Sequence, residues 1–150
     1  MKKILIMIMA VVAAMGLNAQ SAFFKGCEDM PGVSTVYISK AMLELAGASN
    51  ITGGDFNIGS IASKLDGLEI VSAEGRSLAK LKGKCGVFSS GKGYEKLMSV
   101  KNDGSNVSIL MKKLGGGRNE FVVFVDEETS LVVIMMTGTM TMQDVINAAK

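Results

Sequence analysis

Hydrophobic residues follow three rhythms along this chain. Behind Lys2 and Lys3, residues 4–15 are an unbroken apolar run of 12. From residue 20 to residue 88 the apolar positions come in short groups separated by Gly, Ser and Asn. From residue 94 onward they alternate or run solidly between brief polar breaks. The middle stretch predicts helices and strands in mixture. Residues 20–32 hold Phe23 and Phe24 as apolar anchors of a short helix and turn. Residues 33–38 (VSTVYI) are β-branched and aromatic, hence a strand. Ser39 can cap a helix through residue 46 whose apolar set is Met42, Leu43, Leu45 and Ala46. Residues 47–56 read as a loop around Gly53-Gly54-Asp55. Asn57 then precedes Ile58, Ile61, Ala62 and Leu65, spaced i, i+3, i+4 and i+7, which predicts a capped helix ended by Gly67. Residues 68–73 (LEIVSA) form a second strand. A helix over 77–88 puts Leu78, Leu81, Cys85 and Phe88 on one face, with Gly83 and Gly86 each weakening it by roughly 1 kcal/mol against Ala.

The second half predicts four strands in a row, over 94–101, 106–112, 119–126 and 131–137. The joins Asn102-Asp103-Gly104, Gly115-Gly116-Gly117 and Glu127-Glu128-Thr129 are short, which requires antiparallel neighbours and a meander. Thr141 with Asp144 matches a capping box, and a helix runs on through residue 148. The fold class is therefore α+β: a four-stranded antiparallel meander, two earlier strands, and helices packed on the sheet. The strand over 119–126 has Phe121, Val123 and Val125 on one face and Val122 and Phe124 on the other. The strand over 131–137 is apolar on both faces, Leu131, Val133 and Met135 against Val132, Ile134 and Met136. Such strands are covered twice. One cover is helix; the other is more helix, a partner molecule or a ligand. The second alternative makes Val122, Phe124, Val132, Ile134 and Met136 a candidate interaction face.

The leading apolar run reads as an address. It follows a positive pair, and Gly16-Leu17-Asn18-Ala19 supplies a small residue before Gln20, the pattern of a secretory signal peptide over 1–19. A spanning helix needs roughly 18 or more apolar residues. The expectation is a single domain over 20–150, exported to the periplasm or cell envelope and not membrane-spanning. Cys27 stands behind Phe24-Lys25-Gly26, too far past the run for a lipid-bearing cysteine. The chain of 150 residues carries a formal charge of +2, and Lys2 and Lys3 account for all of it. A neutral mature surface does not suit nucleic acid, where basic contacts to phosphate supply the affinity.

Composition removes further chemistry. With no His there is no His-based nucleophile pair and no His-ligated zinc. Residues 86–93 approach a phosphate-binding loop, but Gly93 stands where Ser or Thr must follow Lys92. Cys27 and Cys85 either pair in an oxidising compartment, closing a loop worth roughly 4 kcal/mol, or remain free. Met135, Met136, Met140 and Met142 supply soft thioethers that suit Cu(I), or fill the core. Carboxylates for acid–base work include Glu28, Asp29, Asp55, Asp66, Glu69, Glu74, Glu95 and Glu120, with no pair marked out. No cofactor is expected.

Five ordered segments carry a likeness: Gly32 through Leu43, Asn57 through Leu65, Tyr94 through Lys101, Asn119-Glu-Phe-Val, and Thr137-Gly-Thr-Met-Thr141. Together they resemble an exported bacterial family, domain of unknown function 4252, over residues 23–148. The resemblance implies a small envelope protein of Gram-negative gut-type bacteria. The family carries no established activity or catalytic residues, so none is transferred. Some members are encoded beside extracytoplasmic-function sigma factors, which implies a link to envelope stress or signalling. The segment 77–88 departs from the family in having less charge and more Gly. The expected role is a non-catalytic envelope binding or interaction module, engaging a protein partner, a second copy or a lipid-like ligand. The alternatives are a two-carboxylate hydrolase of envelope glycans and a Cu(I) carrier built on Met140 and Met142.

Overall fold

A computed structural model describes residues 20–46, 52, 53 and 56–148. The chain runs α1 (Ala22–Glu28), β1 (Val33–Ser39), α2 (Lys40–Ala46), β2 (Thr52–Gly53), β3 (Phe56–Asn57), β4 (Leu65–Glu74), α3 (Leu78–Lys84), β5 (Glu95–Asn102), β6 (Ser105–Gly115), β7 (Arg118–Glu127), β8 (Ser130–Gly138) and α4 (Met142–Ala148). Six strands form one sheet in the order β1-β4-β8-β7-β6-β5, every pair antiparallel. The meander β5 to β8 is as the alternation predicts. The two earlier strands join its β8 edge. β2 and β3 pair with each other as a small ribbon inside the segment expected to be loop. Residues 1–19, 47–51, 54, 55, 149 and 150 lie outside the described residues, and with them the expected signal peptide and most of that loop.

The helix expected over 57–65 is absent. Two single 3-10 turns stand there, Ile58–Ser60 and Ala62–Lys64, and Leu65 already belongs to β4. The Asn57 side chain accepts the Ser60 N–H at 3.3 Å, and the Ser60 hydroxyl donates to the Asn57 carbonyl at 2.8 Å. Such local bonds compete with helix continuation, and Gly59 offers little to oppose them. The stripe is still core: Ile58, Ile61, Ala62 and Leu65 are all buried. The expected helix over 77–88 is likewise broken into the 3-10 turn Gly75–Ser77, the seven-residue α3 and a second turn, Cys85–Val87.

The sheet is covered on both faces. On one, Leu43 of α2, Ile58 and Ile61 of the turns, Met140, and Val145 of α4 pack over Leu68, Phe121, Val123, Ile134 and Met136. On the other, Phe23, Phe24 and Cys27 of α1, Leu81 of α3 and Phe88 pack over Val71, Val122, Val133 and Met135. Directly paired residues of antiparallel strands share a face. Val122 pairs with Met135 and Phe124 with Val133, whereas Phe121 pairs with Met136, Val123 with Ile134 and Val125 with Val132. The candidate interaction face is therefore corrected. Val122 and Phe124 lie on the α1/α3 side, and Val132, Ile134 and Met136 lie on the α2/α4 side. Helix cover on both sides accounts for the doubly apolar strands. No helix among the described residues is long and apolar enough to cross a membrane.

Candidate functional site

The helices on the α1/α3 face stop short of one end of the sheet, and a cleft of about 460 Å³ opens there. The strand register builds its floor. Tyr37, Glu69 and Met135 fall in one cross-strand row on β1, β4 and β8; Ser39, Gly67, Thr137 and Glu120 fall in the next, reaching β7. Two-residue periodicity puts both rows on one face, with Arg118 one further step along β7. Gly67 keeps the floor low: a Cβ there would lie 3.7 Å from the Tyr37 ring. Gln20 and Ser21, just before α1, close one wall, and Lys40 at the start of α2 forms part of another.

Glu69 is buried, a rare condition for a carboxylate. Both its oxygens meet Ser21. The Ser21 backbone N–H donates to Oε1 at 2.6 Å and the Ser21 hydroxyl to Oε2 at 2.6 Å. Ser21 is also the N-cap of α1, its Oγ accepting the Phe24 N–H at 3.1 Å. One residue thus starts the helix and anchors it to the sheet. Burial pushes the Glu69 carboxyl above its ordinary value; the Ser21 bonds pull it down, and the negative charges of Glu120 and Glu28 push it up again. Glu120 accepts the Tyr94 hydroxyl at 2.9 Å. Burial, with Glu120 beside it, drives the Tyr94 phenol well above its ordinary value. On the rim Arg118 Nε donates to Asp66 at 2.9 Å, and Lys40 lies 3.8 Å from the same carboxylate. The cleft therefore has two acids on its floor and an Arg–Asp–Lys group at its edge.

Of the acids singled out in the sequence, the fold brings Asp66, Glu69 and Glu120 into this cleft. Glu28 acts on Glu69 by its charge alone, Glu74 and Glu95 end on exposed strand termini, and Asp55 lies outside the described residues. The signal that marks Glu69 is its place in LEIVSA, an acid inside an otherwise buried strand. Cys27 and Cys85 fall in the same cluster under α1 and α3, both as free thiols. Burial raises the Cys27 thiol and pushes Cys85 up to about 12, which keeps both protonated. The Cys85 thiol donates to the Leu81 carbonyl at 3.2 Å and lines a smaller groove of about 260 Å³ with Phe88, Ser108 and Phe124. The methionine group is divided. Met135 lies on the α1/α3 face, Met136 and Met140 are buried on the other, and Met142 is exposed at the start of α4. Four converging thioethers do not form.

The fold and the cleft define the class: an antiparallel α+β domain with helices on both sheet faces and a mixed-charge cleft at one sheet end. The chain belongs to the family described as a domain of unknown function (DUF4252), which matches residues 24–148. No curated protein and no solved structure matches it.

Proposed function

We propose that this chain is a non-catalytic binding module of the bacterial envelope, exported by residues 1–19 and holding a small mixed-charge ligand in the cleft beside Glu120 and Arg118. The observation that carries the reading is their placement. They stand two residues apart on one face of β7, so a carboxylate and a guanidinium face the same cavity. That arrangement recognises a molecule bearing both a donor-rich cationic group and an anionic group.

The test is native mass spectrometry of protein recovered from the periplasm of a Gram-negative host, for the unaltered chain and for Glu120→Gln. The expected result is a monomer carrying an added small mass that Glu120→Gln loses. A bare monomer, or a dimer with no added mass, sinks the cleft reading; the dimer would favour self-association.

A hydrolase is the second reading, because a raised carboxyl next to another carboxylate is the pairing glycosidases use. The geometry works against it. Both Glu69 oxygens are turned to Ser21 rather than into the cavity. Release of soluble fragments from purified peptidoglycan, abolished by Glu69→Gln and by Glu120→Gln alike, would reverse that preference.

A further inference from the structure

Glu69 is a buried carboxylate held by two Ser21 donors, and the charges that act on it most directly are the acids Glu120 and Glu28. The Ser21 nitrogen lies 2.6 Å from its Oε1. Covalent geometry places the preceding backbone nitrogen, that of Gln20, within about 4 Å of the Ser21 nitrogen. The Gln20 nitrogen is thus within about 6 Å of the carboxylate, and Gln20 is one of the residues that line the same cleft. While residue 19 is attached, that nitrogen is a neutral amide. Hydrolysis of the Ala19–Gln20 peptide bond adds one water, leaving a carboxylate on Ala19 and an α-amine on Gln20 that is protonated at neutral pH.

We infer that cleavage after Ala19 creates the counter-ion of Glu69: the Gln20 α-ammonium becomes a fixed charge inside the cleft, so that removal of the leader completes the site. The inference rests on the signal-peptide reading above and deepens it. An opposite charge at about 4–6 Å favours the ionised form of each partner. The charged groups around Glu69 are Glu28 at the end of α1, Glu120 on β7 and the Arg118–Asp66–Lys40 rim, with the Tyr37 phenol alongside on β1. The ammonium adds a positive charge on the Ser21 side, where the surrounding groups are the Ser21 donors.

Three chains test it: one beginning at Gln20, the same chain with a Gly-Ser extension before Gln20, and a Gln20→Ala chain that keeps the ammonium but cannot cyclise. The pKa of the α-ammonium, followed by NMR, is expected about one unit or more above the ordinary 7.7–8.0 for the chains beginning at residue 20. It should return to the ordinary range when Glu69→Gln is added. The extended chain should show an ordinary terminal amine and a lower Tm. An ordinary pKa with Glu69 intact, or a raised one that persists in Glu69→Gln, overturns the pairing. Intact mass of the exported protein tests the cleavage separately. A chain starting at another residue removes the maturation step, and one short by an ammonia carries cyclised Gln20 and has no ammonium to offer.

Discussion

Single positions in this domain are decided by what lies directly above them. Gly138 ends β8 where the Lys64 carbonyl crosses it, and a Cβ at Gly138 would overlap that oxygen. The approach is fixed by the Thr139 N–H donating to Lys64 O at 2.9 Å. Gly138→Ala is expected to cost about 1–3 kcal/mol in urea unfolding, because backbone rather than a flexible side chain must move. Gly67→Ala is its control: the added methyl meets the Tyr37 side chain and the Ile38 carbonyl at ordinary distances of 3.7 to 4.0 Å, and stability should change far less. Neither role is visible in the sequence, where Gly138 sits in a Thr-Gly-Thr stretch and Gly67 reads as a helix stop. A close approach depends on residues far along the chain. Glu69 was partly legible: its apolar neighbours in LEIVSA are plain, but its partner Ser21 lies 48 positions away.

At the scale of elements, local signals worked where the capping chemistry is complete. The Thr141–Asp144 box forms as its spacing predicts, with Asp144 Oδ2 accepting the Thr141 N–H at 2.7 Å and the Asp144 N–H donating to Thr141 Oγ1 at 3.3 Å. Lys64 adds a bond to Asp144 Oδ1 at 2.7 Å. The Lys64 bond, followed by the Thr141 N–H, draws the Asp144 carboxyl from 3.8 down to about 2. Folding thus lowers this value, so its contribution to stability is present above about pH 3.8 and is lost as pH falls toward 2. Asp144→Asn should lose the acid-side slope in urea midpoints over that window. The mutant and the parent should converge at the acid end, with the parent more stable above it. The stripe over 57–65 shows the opposite case. Periodicity marked four core residues correctly, but the same spacing is satisfied by two tight turns feeding a strand, and the Asn57 and Ser60 side chains decide between them.

For the whole molecule, the alternation of apolar residues announced the sheet and its meander but not which residues share a side. That needs the register, and the register sends Phe124 and Ile134 to opposite faces. Ile134→Lys is therefore expected to abolish cooperative unfolding, since a charge buried without a partner costs more than about 4 kcal/mol, a large part of a domain's stability. If sedimentation and circular dichroism instead showed a folded protein altered only in association, Ile134 would be an interface residue after all. The cleft was not legible because its walls come from five strands and two helix starts that the sequence gives no means of assembling. The strand order carries one more consequence. β4 finds its inner neighbour only in β8, the last strand made, and β1 in turn pairs only with β4. A chain emerging from its N-terminus can pair β1 with β4 once residue 74 has appeared, but the inner edge of β4 waits until residue 138 has followed. The sheet closes late, across the longest loop it contains, and such contacts form slowly.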